Sequence, residues 1–301
     1  MTRKVAIIGA GHVGADTAFS LVTQGLCDTL VLIDQDEKKA HVQSLELRDM
    51  ASFTPSRVSI IAGDYAELAD TDVIVIAVGP TTLLKEDRLE ELAETRAAVL
   101  EIVPRIISSG FQGVIVNITN PCDVITQIIQ QTSGLLPSQV FGTGTSLDTA
   151  RMKRVVGEFF SVDPKSVQGY VLGEHGESQF VAWSTVAIGG IPVAQLAGDR
   201  PVDWAQMDAS VRQGGWQILQ GKGWTSFGIA TATARLVDAI LSDANTVYPV
   251  SAWSESQKVY IGHPAIIGRK GVVQSLLPEL TAYENIAFQA SARVIAAALN
   301  K

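Results

Sequence analysis

Short, wholly apolar runs alternate with longer stretches of helical spacing along the first half of the chain. The stretches 15–23 and 89–107 repeat their apolar residues every three or four positions, as one face of a helix requires. The runs between them show no polar alternation, so we predict strands buried on both faces, as in a parallel sheet covered by helices. These predicted strands are 4–8, 30–33, 58–62, 73–78 and 114–118.

The second half of the chain has a less regular pattern. Its predicted helices are 147–160, 208–220, 225–241 and 286–299, and its predicted strands lie around 167–172, 181–188, 247–250 and 258–261. The expected fold class is α/β: a Rossmann-type parallel sheet doubly wound with helices, plus a C-terminal α+β substrate domain. With Gly142-Thr143-Gly144 as the junction, we expect two domains, 1–142 and 143–301.

Composition and charge exclude several classes of protein. The 301 residues carry a net charge of -8 and no basic stripe, so nucleic acid is not an expected partner. The apolar runs are far shorter than the ~20 residues of a membrane helix, and the chain begins without the apolar core of a signal peptide. We expect no membrane partner and a cytoplasmic location. Cys27 and Cys122 lack C-x-x-C spacing, so no metal site is expected.

The first predicted strand runs into the sequence Gly-Ala-Gly-His-Val-Gly, a G-x-G-x-x-G motif at the start of a helix. Such a loop places a pyrophosphate at the helix N-terminus: Gly9 allows the tight turn, Gly11 the close backbone approach and Gly14 the helix packing. Asp34 ends the second strand, where a carboxylate binds both ribose hydroxyls and repels a 2′-phosphate. The predicted cofactor is therefore NAD, bound by the N-terminal domain.

Three further side chains supply acid–base and anion-binding chemistry. Asp148 and Arg151 are three residues apart, so they share one face of a predicted helix. His175 lies in a Gly-Glu-His-Gly turn, whose glycines let a substrate and a cofactor come close. An imidazole exchanges protons near neutral pH, and a guanidinium holds a carboxylate by two charge-assisted bonds. Together these residues predict a hydride-transfer site for a 2-hydroxy acid.

The chain resembles the L-lactate and malate dehydrogenase family over essentially its whole length. Asn120-Pro121, the segment 147–151 and the turn 173–176 follow the glycine loop in the family's order and spacing. The runs 142–151 and 172–185 look most similar to the L-2-hydroxyisocaproate dehydrogenases of lactic acid bacteria. The resemblance implies an NAD-dependent L-2-hydroxyacid dehydrogenase acting on a small 2-oxo or 2-hydroxy acid. It also implies a homo-oligomer, with a tetramer expected and a dimer left open.

The resemblance assigns roles to these side chains. His175 is the general acid–base group, and Asp148 bonds its other ring nitrogen to fix the tautomer and stabilise the imidazolium. Arg151 holds the substrate carboxylate. Asn120 bonds the reacting oxygen or supports the cofactor. Arg88 lies on a mobile loop whose closure brings its charge to the developing alkoxide.

Further candidate contacts have simpler competing interpretations. Thr225 and Ile229 match family positions that line the substrate pocket and the nicotinamide, yet both are ordinary helix-face residues that packing alone would explain. His12 occupies a variable position of the glycine loop, where a solvated side chain is the alternative to a ligand. The remaining candidate cofactor contacts are Val13, Val78 and Gly79.

The loop after Gly79 bears on the choice of substrate. In the family, a Gln at the third position after this glycine is typical of lactate specificity, and an Arg there is typical of malate specificity. Here it is Thr82, followed by Leu83 and Leu84, so malate is disfavoured, although Lys85 is close in sequence. An apolar loop would bury a branched side chain, gaining ~0.8 kcal/mol per CH₂. We expect an L-2-hydroxyisocaproate dehydrogenase that prefers apolar or branched side chains, with L-lactate dehydrogenase as the alternative.

Two other classes of protein are weighed against this one. A non-catalytic NAD-binding sensor would keep the glycine loop and Asp34 but would have no need for His175 and Arg151 in one cleft. An NAD- and metal-dependent glycosidase has a similar fold and uses Cys and His as ligands. No second His or carboxylate stands at ligand spacing from Cys122, so the sequence disfavours that class.

Overall fold

The computed structural model describes residues 3–79 and 91–300. Strands and helices alternate in its first half, as the apolar pattern predicts. The strands there are β1 (Lys4–Ile8), β2 (Thr29–Ile33), β3 (Ser59–Ala62), β4 (Val73–Ile76), β5 (Val114–Asn117) and β6 (Val140–Gly142). The helices are α1 (His12–Thr23), α2 (Glu37–Ala51), α3 (Leu92–Ser108) and α4 (Cys122–Ser133).

The six strands pair in parallel in the order β3-β2-β1-β4-β5-β6. Their side chains are nearly all buried, because apolar clusters on both faces of the sheet pack against the helices. This strand order is that of a Rossmann fold, and it reverses direction between β1 and β4. A crevice therefore opens beyond the carboxyl ends of these two strands, where such folds bind their ligands.

The second half combines helices with short antiparallel strands. Its helices are α5 (Ser146–Phe160), α6 (Val193–Ala197), α7 (Trp204–Lys222), α8 (Phe227–Leu241) and α9 (Ala282–Leu299). Its strands are β7 (Val167–Gln168), β8 (Val171–Leu172), β9 (Phe180–Val181), β10 (Ala187–Ile188), β11 (Ile191–Pro192), β12 (Thr246–Ser254), β13 (Val259–Gly268) and β14 (Gly271–Ser275). None of the described helices has the length and apolar character needed to cross a bilayer.

The main sheet continues past the junction proposed at Gly142-Thr143-Gly144. β12 pairs antiparallel with β6 through Ser251 and Gly142, and β13 and β14 extend the sheet further. Gly142 therefore ends a strand, whereas the sequence placed it in a connecting segment. The run Val140-Phe141 is too short to predict a strand by itself. A Cβ at Gly142 would lie 2.7 Å from Cys122 Sγ, so the glycine lets β6 approach α4 closely.

Elsewhere in the second half, two predicted segments differ from the structure in detail. The stretch predicted as one strand around 181–188 holds a 3₁₀ turn, Trp183–Thr185, between two strands of two residues. The hairpin strands at 247–250 and 258–261 are longer than predicted, because the β12–β13 pairing continues through Gly262, His263 and Pro264 into a second apolar run at 265–267. The C-terminal half is α+β, as expected.

One buried carboxylate, Glu284, joins the start of α9 to the 3₁₀ turn Trp183–Thr185, beside the apolar packing of the helix against the core. Glu284 accepts bonds from Ser184 N at 3.0 Å and Ser184 Oγ at 2.7 Å, and from Thr281 N at 2.9 Å. Burial alone would raise the pKa of this carboxyl, but the hydrogen bonds from Ser184 and Thr281 outweigh burial and lower it. Glu284 therefore stabilises the fold in its charged form.

We expect Glu284→Ala to lower the free energy of unfolding by about 1–3 kcal/mol, because the N–H and the hydroxyl of Ser184 lose a charged acceptor. Tyr283→Ala, at an exposed neighbour, should change it by less than about 0.5 kcal/mol. Urea unfolding at several pH values measures both. The Glu284 contribution is present above its ordinary pKa of 4.5 and is lost as the pH falls through the lower folded-state value. An unchanged difference between the variants down to pH 3 would contradict this account.

Candidate functional site

The glycine loop lies at the carboxyl end of β1, against the neighbouring strands. Gly9 has φ +102°, and a Cβ there would lie 2.4 Å from Ala77 O. A Cβ at Gly14 would lie 1.8 Å from Gly9 O, so the start of α1 packs directly on the loop. At Gly11 the nearest atom to a Cβ would be Lys39 Nζ at 3.8 Å, which leaves the loop backbone open on that side. The loop thus fits a pyrophosphate at the N-terminus of α1.

Asp34 connects the end of β2 to this loop. Its Oδ2 accepts a bond from Ala10 N at 2.7 Å, and its Oδ1 accepts one from Asp36 N at 3.0 Å. Each carboxylate oxygen accepts more than one bond, so capacity remains for the hydroxyls of a ribose beside the loop. The position of this carboxylate suits NAD, whereas the 2′-phosphate of NADP would meet a negative charge.

The two side chains in the variable positions of the loop point to different surroundings. His12 is exposed and stacks on the Trp224 ring, with 4.2 Å between the ring centroids and 8° between the planes. Val13 is half-buried and packs against the apolar cluster of the sheet. Trp224 follows α7, so the stack joins the glycine loop to the second half of the chain. Sequence reasoning missed this contact, since no local pattern connects the two residues.

A buried asparagine organises the turn at the end of β5. Asn117 Nδ2 donates to Cys122 O at 3.1 Å and to Thr126 Oγ1 at 3.0 Å, while its Oδ1 accepts from Thr119 N at 3.0 Å. The Asn120-Pro121 peptide bond inside this turn is cis. Asn120 is half-buried and lies on the same crevice edge as the glycine loop, at the carboxyl end of the sheet.

Val78 and Gly79 continue this edge after β4. Val78 N donates to Thr119 Oγ1 at 2.9 Å, and the valine side chain is half-buried against the core. Gly79 is exposed, and among residues 3–79 and 91–300 no atom lies within 4 Å of the position of its Cβ. Both residues therefore border the crevice. The predicted substrate contacts Thr82, Leu83 and Arg88 lie outside the described residues.

The predicted acid–base residues meet at one carboxylate. Asp148 is fully buried on α5, with its Oδ2 2.5 Å from His175 Nδ1 and its Oδ1 accepting a bond from Arg151 Nη1 at 2.7 Å. The bond to Nδ1 fixes the orientation of the ring, and Nε2 is the nitrogen that would exchange a proton with a substrate. The structure thus brings together three side chains that the sequence separates by up to 27 positions.

Arg151 is buried against two adjacent glycines of α7. A Cβ at Gly215 would lie 3.0 Å from Arg151 Nη2, and a Cβ at Gly214 would lie 3.4 Å from its Cδ. Arg151 Nε is buried, and no described residue accepts a bond from it. A substrate carboxylate would satisfy a guanidinium held this way. The sequence did contain a signal: two glycines inside a predicted helix cost about 1 kcal/mol each and indicate a close approach.

The turn that carries His175 is held from several sides. Gly173 pairs with Gly262 on β13 through two main-chain bonds of 3.0 and 2.9 Å. Glu174 N donates to Ser291 Oγ on α9 at 2.6 Å. His175 N itself donates to Asp123 Oδ2 on α4 at 2.7 Å. Sequence reasoning missed Asp123, because an acidic residue in the first turn of a helix is ordinarily explained by the helix dipole.

Thr225 and Ile229 lie beside the glycine loop, since they follow Trp224 along the chain. Thr225 is half-buried just before α8. Ile229 is half-buried and packs against the apolar cluster that also receives Val13. Their location suits a pocket wall, and the contacts of Ile229 also agree with simple packing.

Cys122, considered as a metal ligand, is an unsuitable one in this structure. Burial raises the pKa of its thiol to about 12, so the thiolate that a metal requires is disfavoured. Across residues 3–79 and 91–300, no three His, Cys, Asp or Glu side chains are grouped to hold a metal ion.

Comparison with known proteins gives a consistent result over the whole chain. A family model described as the lactate/malate dehydrogenase NAD binding domain matches residues 3–142, and one described as the alpha/beta C-terminal domain of that family matches residues 145–301. L-lactate dehydrogenase 1 of Bifidobacterium longum is 40% identical over 302 residues, which cover 97% of this chain and 96% of that protein. The ligand-bound minor L-lactate dehydrogenase of Enterococcus mundtii has a TM-score of 0.95 at 34% identity, covering 99% of this chain and 98% of that one.

The fold and the matches together define an NAD-dependent oxidoreductase that acts on hydroxy acids. The chain belongs to the lactate/malate dehydrogenase family. The predicted fold class, enzyme class and cofactor are thereby confirmed. The relatives are named L-lactate dehydrogenases, which favours the alternative function over the L-2-hydroxyisocaproate dehydrogenase that the sequence first suggested.

Two glycine substitutions should separate cofactor contact from folding. The methyl group of Gly11→Ala makes an ordinary contact with the flexible Lys39 side chain, so we expect an unchanged melting temperature but an NADH Kd raised by about tenfold or more, because the methyl group crowds the pyrophosphate. Gly14→Ala forces α1 away from Gly9 O and should cost about 1–3 kcal/mol or more of stability. Fluorescence titration with NADH and thermal unfolding measure the two effects. Equal NADH binding by the wild type and Gly11→Ala would refute the assigned pyrophosphate position.

Proposed function

We propose that this protein is an L-lactate dehydrogenase, which interconverts L-lactate and pyruvate with NAD. The observation that carries the proposal is the shared Asp148 carboxylate, which bonds the His175 ring and the Arg151 guanidinium in one buried site. The names of the relatives support the same substrate: proteins from Bifidobacterium longum and Fusobacterium nucleatum, 40% and 39% identical, are both called L-lactate dehydrogenase.

The proposed chemistry assigns one task to each side chain. NAD, held by the glycine loop and Asp34, would supply the acceptor for the hydride that leaves C2 of the substrate. When the hydroxy acid is oxidised, His175 Nε2 takes the hydroxyl proton, and when the oxo acid is reduced, it returns the proton. Asp148 stabilises the imidazolium that forms in between. Arg151 binds the substrate carboxylate, which places the reacting carbon toward the histidine. Asn120 bonds the reacting oxygen, and Arg88 remains the proposed stabiliser of the developing alkoxide.

A specific observation favours a second candidate substrate. Leu83 and Leu84 follow Thr82 in the loop proposed to select the substrate, so this loop offers apolar side chains to a substrate. A branched 2-oxo acid such as 2-oxoisocaproate would bury its side chain against them. L-2-hydroxyisocaproate dehydrogenase activity is therefore proposed as a secondary activity of the same site.

The organisation of the protein is proposed from its resemblance to the family. We propose a homo-oligomer, with a tetramer expected and a dimer as the alternative, and a cytoplasmic location. The chain is further proposed to divide into an NAD-binding domain, 1–142, and a catalytic domain, 143–301. Thr82, Leu83 and Thr225 are proposed to contact the substrate side chain. The proposed cofactor contacts are Gly9, Gly11, His12, Val13, Gly14, Asp34, Val78, Gly79, Asn120 and Ile229.

Replacement of His175 tests the proposed enzyme against a non-catalytic NAD sensor. We expect His175→Asn to lower kcat for pyruvate by about 10³-fold or more, because the proton donor is lost, while the NADH Kd stays within about twofold. His41→Asn removes an exposed imidazole on α2 and serves as the control, with unchanged kcat. Steady-state oxidation of NADH measures turnover. A His175→Asn variant with wild-type kcat would exclude the proposed acid–base role.

Substrate choice is tested with a panel of 2-oxo acids. We expect kcat/KM to be highest for pyruvate, lower for 2-oxoisocaproate and lowest for oxaloacetate. Leu83→Ala should lower kcat/KM for 2-oxoisocaproate by about tenfold and for pyruvate by less than about threefold, because it removes apolar surface proposed to bury the branched side chain. Leu277→Ala, at an exposed leucine, is the control. If oxaloacetate is the best substrate, the lactate dehydrogenase proposal fails.

A further inference from the structure

Asp123 is a buried carboxyl group directly behind the proposed acid–base residue. It lies in the first turn of α4, two positions after the cis Asn120-Pro121 bond, and is 1% exposed. Its Oδ2 accepts the main-chain N–H of His175 at 2.7 Å. The segment at the start of α4 therefore carries both Asn120, whose amide is proposed to bond the reacting oxygen, and Asp123, which accepts the main-chain N–H of His175.

The surroundings of Asp123 differ from those of Asp148 in charge. Asp148 has the Arg151 guanidinium at 2.7 Å, whereas no described cation forms an ion pair with Asp123. Asp123 faces Glu174 and His175 on the catalytic turn, Ser251 on β12 and the neighbouring Cys122 thiol. Burial, followed by the charge of Glu174, raises the pKa of Asp123 to about 7, although the Ser251 hydroxyl and the His175 N–H act to lower it.

Two unsatisfied atoms indicate where a proton would reside. Asp123 Oδ1 and Ser251 Oγ are both buried, lie beside each other and have no well-aligned hydrogen bond among the described residues. A proton on Oδ1 would be donated to Ser251 Oγ, while Oδ2 continues to accept from His175 N. The uncharged carboxyl thus satisfies both atoms, whereas a carboxylate would leave an unpaired charge in the interior.

We propose that Asp123, in its protonated form and together with Ser251, is a positioning residue that fixes the main chain of His175. The charged carboxylate in contact with the imidazole is then that of Asp148. Loss of the proton would place a second negative charge close to the imidazole and to Glu174. This inference rests on the proposed acid–base role of His175.

Two substitutions at Asp123 separate the anchor from the charge. Asp123→Asn keeps an oxygen acceptor for His175 N in an uncharged group, so kcat for pyruvate should stay within about threefold of wild type. Asp123→Leu removes the acceptor, so kcat should fall by about 30-fold or more while the KM for pyruvate changes less than threefold. Stopped-flow and steady-state NADH oxidation measure these values. An Asp123→Leu enzyme with wild-type kcat, or an Asp123→Asn enzyme as slow as Asp123→Leu, would overturn the proposal.

The matched control lies one turn further along α4. Gln127 is buried, and its Oε1 accepts the main-chain N–H of Tyr260 at 3.2 Å, away from the catalytic turn. Gln127→Leu therefore removes the same kind of contact from the same helix. It should lower thermal stability about as much as Asp123→Leu does, yet leave kcat unchanged. Equal losses of kcat in these two leucine variants would show that Asp123 acts through stability alone.

The pH profile provides a readout that a purely structural role would not move. In the wild type, Asp123 ionises as the pH rises through about 7 and no longer donates to Ser251, whereas the amide of Asp123→Asn stays neutral. We therefore expect the ratio of wild-type to Asp123→Asn kcat/KM for pyruvate to fall by at least about twofold between pH 6 and pH 8. Identical profiles for the two enzymes would overturn the charge argument.

Unfolding experiments test the same inference without activity. Because the pKa of Asp123 is raised from its ordinary 3.8 to about 7 in the fold, the stability that its protonated form contributes is present below pH 3.8 and lost as the pH rises through 7. Asp123→Asn should therefore gain stability relative to the wild type between pH 5 and pH 8.5. A pH-independent difference would overturn the inference. If no 2-oxo acid is turned over, the proposed function fails, and this measurement still decides the protonation state of Asp123.

Discussion

The structure of the site depends on one buried carboxylate, Asp148, and on the partners that a buried charge requires. An isolated carboxylate in the interior is costly, and ion pairing offsets that cost only when the geometry is good. Arg151 supplies the charge from one turn further along α5, and His175 completes the set from a distant turn. The catalytic turn lies against α5 because there the second oxygen of Asp148 meets the His175 ring.

The placement of that turn explains why both halves of the chain contribute to one site. Asp123 reaches His175 from α4, Ser291 reaches Glu174 from α9, and Gly262 on β13 pairs with Gly173. The sheet makes this possible, since β12 continues it from β6 and brings β13 beside the first half. The acid–base side chain thus rests on regular elements of both halves rather than on a free loop, which suits a group that must be held in one orientation.

Local patterns predicted the parts whose causes are local. The strands of the parallel sheet follow from runs of apolar residues, and the glycine loop with Asp34 follows from the steric needs of a tight strand-to-helix turn. The prediction that Asp148 and Arg151 share one face of α5 was equally local, because residues three apart on a helix face the same side. The predictions were less accurate where strands have two residues, as at 187–188, since such runs carry too little pattern to separate a strand from a turn.

By itself, the sequence determined the chemistry that this protein contains: a dinucleotide loop, an acid to meet a ribose, and an imidazole, a carboxylate and a guanidinium in a characteristic order. Only the tertiary structure decided which distant groups support them. Asp123 behind His175, Gly214 and Gly215 against Arg151, and Trp224 on His12 are contacts between positions far apart in the chain. Spacing rules describe neighbours within one helix or strand, whereas these contacts arise from packing between elements, which no local pattern encodes.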